Sequence, residues 1–329
     1  MTTFPEFAEL TERMCVVRLP LVTRFRGLTE RETMLLRGPF GWTEFAPFVE
    51  YDDAESVSWL RAAIEFGWTD TAERFAERDR IWVNATVPAI PAEQVAELLG
   101  RFAGTRTAKV KVADAGQHLQ DDLARVAEVR RVLGPEGRIR VDANGGWTVD
   151  AAERAIRALA QFDLEYVEQP CASVAELAEL RERIADLDVP IAADESVRRA
   201  DDPLRVAREG AADALVIKAA PLGGIARARS VVTAAGLPAT VSSALESSVG
   251  LAMGVFLAAS LPERDAGLGT AALFANDITH HPLIPRSGQL EVRRVVPEQE
   301  LLARWSAPAE SVRWWFERIQ RCSELIDEL

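Results

Sequence analysis

The order of apolar and polar positions divides the chain into three stretches. Between residues 81 and 269, short apolar runs alternate with segments whose apolar residues recur every three or four positions, the pattern of strands alternating with amphipathic helices. The strand-like runs lie at 81–87, 107–112, 138–142, 164–168, 189–194, 214–218 and 238–243, with a weak eighth at 266–269. Helical periodicity falls at 91–102, 118–133, 149–161, 173–187, 225–235 and 247–261. Eight strands in such alternation predict an α/β protein built on a (β/α)8 TIM barrel rather than an open doubly wound sheet. A repeat near 25 residues also fits a solenoid, but the units share nothing beyond polar residues at their strand ends, so the barrel is the better account.

Residues 1–80 lack this rhythm. Stretches 14–19 and 32–36 read as strands, 42–48 as an irregular piece, and 53–66 as a helix capped by Asp52 or Asp53, which together make a small α+β unit. From residue 288 the alternation stops again. There Val312, Trp315, Ile319, Cys322 and Ile326 form one apolar stripe; packing onto the protein's own body is the plain reading and a dimer seam the sharper one. The division predicted is therefore 1–80, 81–287 and 288–329.

Bulk properties narrow the function. Hydrophobic residues at 48% are ample for a core of this size. A formal net charge of −13 argues against a nucleic-acid surface or an anionic membrane, though local lysines and a metal can still reverse the field inside a cleft. Cys15, Cys171 and Cys322 are odd in number and show no CxxC spacing, which points to reduced thiols. The N-terminus lacks a signal peptide, and the longest apolar run, 249–261, is too short for a bilayer, so a cytoplasmic protein is expected, with its oligomeric state open. His118, His280 and His281 are the only histidines. Acid–base chemistry then falls to lysine or carboxylate rather than to a Ser-His pair or a His-rich zinc site.

Barrel enzymes carry their reactive groups where strands end. Read in order, those positions hold Lys109 and Lys111, Asp142, Glu168, Asp194, Lys218, and Ser242 with Ser243. Asp142, Glu168 and Asp194 stand 26 residues apart, and Lys218 and Ser242 follow at intervals of 24. Three carboxylates raised at one end of a sheet repel one another unless a cation joins them, and oxygen-only ligands select a hard ion such as Mg²⁺. Lys109 and Lys111 share one strand face, either the barrel interior, where the ion and a second ammonium would lower the pKa of Lys111, or a solvated surface. Lys111 and Lys218 flank the carboxylates from the second and sixth strands. Such a layout suits proton removal next to a carboxylate group, with metal and lysines offsetting charge on the enediolate. A GxGxxA match at 267–272 lacks a strong preceding strand and reads as chance. The arginines of the 21–27 loop read most simply as a solvated turn.

The set Lys109-Val-Lys111, Val141-Asp142-Ala-Asn144, Val167-Glu168-Gln169-Pro170, Asp194-Glu195-Ser196, Ile217-Lys218 and Gly223-Gly224 resembles the enolase superfamily in its muconate-lactonizing-enzyme-like branch. The resemblance implies an N-terminal α+β capping domain, completed by the C-terminal tail, over a modified barrel. It implies Asp142, Glu168 and Asp194 as Mg²⁺ ligands with Lys111 and Lys218 as the catalytic pair; a lysine base working with Mg²⁺ is that superfamily's known pattern. Within the branch the chain is similar to the actinobacterial enzymes that form 2-succinylbenzoate. The residues carrying this are Phe25-Arg26-Gly27, the stretch 41–48 with Thr43 in place of the usual glycine, Arg140, and Ser242 to Ser248. The implied reaction is a syn dehydration in menaquinone biosynthesis on a small dianionic substrate, and Lys109, Arg140, Asn144, Gly223, Gly224, Ser242, Ser243, Phe25 and Arg26 are the implied substrate contacts. N-acylamino acid racemisation uses the same five residues, and a catalytically silent metal-binding scaffold is the alternative of another class.

Overall fold

The computed structural model describes residues 4–25, 27–198 and 202–326. Its first sheet is an antiparallel meander of β1 (Met14–Phe25), β2 (Leu28–Gly38) and β3 (Gly41–Phe45). The first two strands outrun the expected 14–19 and 32–36, because pairing from Met14↔Leu36 to Phe25↔Leu28 gives partners to backbone groups beyond the apolar runs. The stretch from residue 42, expected to be irregular, supplies β3 for the same reason, paired with β2 from Met34↔Phe45 to Gly38↔Gly41. Helix Asp53–Trp68 packs on this sheet. It begins where the Asp52 carboxylate accepts the Glu55 amide at 2.8 Å, satisfying one otherwise orphaned N–H. Thr43, the departure from glycine, is fully buried with its methyl against Gly67, where a Cβ would stand only 3.0 Å away. The bare glycine makes the room.

The second sheet holds seven parallel strands in strict chain order. After β4 (Arg80–Trp82) come β5 (Ala85–Val87), β6 (Thr107–Lys111), β7 (Arg138–Asp142), β8 (Leu164–Glu168), β9 (Ile191–Ala193), β10 (Ala214–Ile217) and β11 (Ala239–Val241), of which β5 to β11 form the sheet. In place of the weak eighth strand, Ala266 bridges Val83 and Gly267 bridges Ser242. Their amides donate to Trp82 O and Val241 O, each at 2.8 Å, so two residues join the sheet's two edges and close the barrel. The single strand expected at 81–87 is broken because β4 pairs antiparallel with β12 (Gln289–Glu291) instead. One helix falls short of expectation: the segment 91–102 is a 3-10 turn, Ala92–Gln94, followed by Val95–Gly100. Between β9 and β10, where the sequence shows no helical period, the described residues hold only the short helices Glu195–Arg198 and Arg205–Arg208. Helix Ser248–Ala259 is buried at every position, which explains why its sequence has no polar face.

The C-terminal helix Ala309–Ile326 returns to helix Asp53–Trp68. Arg318 donates to Phe48 O at 3.1 Å and Ser56 Oγ at 2.7 Å, and Trp315 meets Phe45 edge to face at 5.9 Å. Trp315, Ile319, Cys322 and Ile326 are buried within the chain itself, so the apolar stripe packs on its own body. All three cysteines are free thiols. Among the described residues no helix is long and apolar enough to cross a membrane.

Candidate active site

Parallel register stacks the interior side chains in two layers. Lys109, Arg140 and Tyr166 are Cα partners across β6, β7 and β8, and two residues further on Lys111, Asp142 and Glu168 are partners in the same way. Alternate residues share a face, so the lower trio lies directly beneath the upper one. The Lys109 side chain is long enough to cross between them. Its Nζ donates to Glu168 Oε1 at 2.9 Å and Oε2 at 3.1 Å and stands 3.0 Å from Asp142 Oδ2.

The upper layer is a chain of paired charges. Lys111 Nζ donates to Asp142 Oδ2 and to Asn144 Oδ1, both at 2.6 Å, and Lys218 Nζ donates to both carboxylate oxygens of Asp194. Asp142, Glu168 and Asp194 are at most 3% exposed. Burial alone would raise the Asp142 carboxyl, but the ammonium groups of Lys109 and Lys111 hold it far below the usual carboxylate range. Glu168 goes the other way: burial and repulsion from Asp142 push it up to about 7, against the pull of Lys109. Burial would lower the Lys109 ammonium, yet the Asp142 and Glu168 carboxylates keep it well above the ordinary lysine value.

The ammonium groups of Lys109, Lys111 and Lys218 stand against the three carboxylates and offset their mutual repulsion. Among the described residues no three acidic, imidazole or thiol groups gather around one point, because each carboxylate is turned toward an ammonium. The donor chemistry nevertheless fits a hard divalent ion. Asp142 and Glu168 already share one cation, Lys109 Nζ, and Asp194 hangs from the next strand with oxygen atoms only.

The other expected contacts are distributed unevenly. Asn144 lies at the mouth: besides accepting from Lys111, it donates its backbone N–H to Asp142 Oδ1 at 3.0 Å. Arg140 is fully buried one layer below, its Nε on Glu165 at 2.6 Å and its Nη1 on Asp265 O at 2.6 Å and Asn84 Oδ1 at 3.1 Å. Gly223 and Gly224 form the turn before helix Ile225–Ala235, where a Cβ on Gly224 would stand 2.6 Å from the Glu65 carboxylate. Ser242 and Ser243 line a cleft beside Lys218 together with Ala219, Ala220, Glu246 and Leu268. The backbone of Phe25 pairs with Leu28 at the first hairpin, and Arg26 lies outside the described residues.

Two buried acids near this cleft went unread in the sequence. Glu44 of β3 accepts from Ser247 N at 3.1 Å and from Ser247 Oγ, tying the first sheet to the loop after β11. Burial pushes its carboxyl up to about 8; Ser247 and Arg31 favour the ionised form, and Glu246 opposes it. Glu246 itself is buried and raised by burial. Both sit inside stretches already singled out, 41–48 and 242–248, but nothing in an isolated acidic letter announces burial.

Comparison with known proteins follows the same lines. Residues 92–297 match the family described as enolase C-terminal domain-like, and residues 16–67 the one described as enolase N-terminal domain-like. The o-succinylbenzoate synthase of Mycolicibacterium smegmatis is 51% identical over 325 residues, covering 98% of each chain. Among solved structures, the muconate lactonizing enzyme of Pseudomonas fluorescens superposes with a TM-score of 0.75 at 22% identity, covering 90% of this chain and 98% of that one. A dipeptide epimerase of Enterococcus faecalis, complexed with Mg and a dipeptide, gives 0.73 at 20% identity over 87% and 97%. These two likenesses carry the fold.

Proposed function

The chain belongs to the enolase superfamily and, within it, to the o-succinylbenzoate synthases, a group of lyases; from that premise we propose that it dehydrates 2-succinyl-6-hydroxy-2,4-cyclohexadiene-1-carboxylate to 2-succinylbenzoate, a step of menaquinone biosynthesis. The observation that carries the reading is the 51% identity over 98% of both chains to a protein of that activity. Members of the superfamily generally depend on a divalent metal. In this reading residues 1–80 cap the barrel of 81–287 and the tail 288–329 returns to the cap.

Asp142, Glu168 and Asp194 would hold the ion, taken here as Mg²⁺, which when bound supplies positive charge beside the substrate carboxylate. Lys111, as the free amine, takes the proton α to that carboxylate; the C–H electrons pass onto the carboxylate as the enediolate forms and return to the ring as the C–O bond breaks. The same lysine then protonates the hydroxyl leaving from the same face, so proton and hydroxyl depart together as water and the ring becomes aromatic. Lys218 faces the enediolate from across the mouth and offsets its negative charge. Lys109 keeps an ammonium between Asp142 and Glu168, and Ser242 and Ser243 offer hydroxyl donors to the succinyl tail.

The test is turnover of that diene to 2-succinylbenzoate by purified protein with Mg²⁺, set beside Lys111→Met. Turnover by the parent and a loss of about 10²- to 10⁴-fold in the variant are expected. No product from folded, metal-loaded parent overturns the assignment. A second reading, N-succinylamino acid racemisation, is favoured by one feature, the placement of two lysines on β6 and just past β10, at opposite sides of one mouth. Loss of optical rotation from such substrates, run in parallel, measures it.

A further inference from the structure

Gln169 follows Glu168 directly and is completely buried, with a left-handed φ of 38° that a side chain adopts at a cost of about 1 kcal/mol. Every polar atom it owns is used. Its Oε1 accepts from the Asp194 amide at 3.0 Å and the Ser196 amide at 3.2 Å. Its Nε2 donates to Ser196 Oγ at 2.8 Å and Cys171 O at 2.9 Å. Its backbone N–H donates to Ala192 O and its carbonyl accepts from Gly145 N, both at 2.7 Å. One residue thus ties together the turns after β7, β8 and β9, of which the first two follow directly on Asp142 and Glu168 and the third begins with Asp194.

Asp194 has the greatest need of that support. β9 is only three residues long, and Asp194 stands just beyond it, before a four-residue helix. Only a primary amide can serve both halves of this position, accepting from two N–H groups while donating to a carbonyl and a hydroxyl; a carboxylate would face Cys171 O without a proton to give. We propose that Gln169 is a positioning residue that fixes the Asp194 carboxylate at the point where the divalent ion is bound. The inference rests on the reading of Asp194 as an ion ligand. Outer hydrogen-bond partners of metal ligands typically contribute about 10- to 100-fold to metal affinity.

The experiment is calorimetric titration of metal-free protein with Mg²⁺ alone, for the parent, Asp194→Asn, Gln169→Met and Gln169→Asn, with melting temperatures measured in chelator and kcat followed against Mg²⁺ concentration. Gln169→Met is expected to weaken Mg²⁺ binding by about 10- to 100-fold, with kcat recovering at high Mg²⁺ and the substrate KM unmoved. A purely structural role would lower the melting temperature and leave Mg²⁺ affinity alone. Should Gln169→Met not fold, Gln169→Asn keeps the amide one methylene short and is expected to weaken binding in the same direction. Parent-like Mg²⁺ affinity in a folded Gln169 variant, with binding lost in Asp194→Asn, overturns the positioning role while the ligand assignment stands. Parent-like affinity in Asp194→Asn overturns the ligand assignment itself.

Discussion

Replacing Glu44 by glutamine should change how stability depends on pH, and by an amount the structure sets. The folded carboxyl keeps its proton up to about pH 8, because burial outweighs the help of Ser247 and Arg31 and Glu246 adds repulsion. The same group in the unfolded chain releases it near its ordinary value of 4.5. Stability linked to that proton is therefore fully present below pH 4.5 and is lost as pH rises through 8. At about 1.4 kcal/mol per pH unit, the loss between pH 5 and 8 is on the order of 4 kcal/mol. A glutamine cannot ionise and still offers an oxygen to the Ser247 amide. With an unfolding entropy of about 2.1 cal/mol/K per residue, the melting temperature of Glu44→Gln should rise relative to the parent by about 6 °C between pH 5 and pH 8. Scanning calorimetry of both proteins in chelator at half-unit pH steps measures the difference. Melting curves that run parallel across that window refute the reasoning and place an ionised, well-compensated carboxylate at position 44.

Three further outcomes follow from the geometry. Lys218→Arg keeps a cation beside Asp194 but cannot exchange a proton near neutrality, so racemisation of N-succinylamino acids should vanish while a measurable fraction of dehydration survives; complete loss of dehydration opposes the electrostatic role given to Lys218. Glu65 accepts from the Ile225 and Ala226 amides at the start of helix Ile225–Ala235, so Glu65→Ala should lower stability by about 1–2 kcal/mol in thermal unfolding. Gly224→Ala, whose new Cβ meets that carboxylate, should cost less in the Glu65→Ala background, and additive effects in the double-mutant cycle would contradict the contact.

The layer of charged groups at the candidate site was legible because strand ends repeat: one polar residue closes each apolar run, and parallel order converts sequence spacing into neighbourhood. What could not be read were the consequences of pairing between distant segments. β4 leaves the expected first strand because β12, some two hundred residues later, offers it a ladder. Arg140 looks like a substrate contact when judged by its distance from Asp142 along the chain. Register sets it a layer lower, against Glu165 and Asn84. Repulsion within the acid cluster shows in the raised Glu168 carboxyl, but a sequence lists charges without their rotamers and does not show the lysines turning inward to meet them. Gln169 was part of a quoted motif, yet its value lies in four hydrogen bonds that only the folded turns bring within reach.

The last segment of the chain completes the first: β12 pairs with β4, and helix Ala309–Ile326 docks on helix Asp53–Trp68. On a ribosome the consecutive parallel strands emerge already beside their neighbours, so the barrel can assemble as it is made. The N-terminal unit meanwhile waits with its apolar helix face unprotected until the final forty residues clear the exit tunnel, which makes a nascent chain stalled near residue 300 a natural client for a holding chaperone.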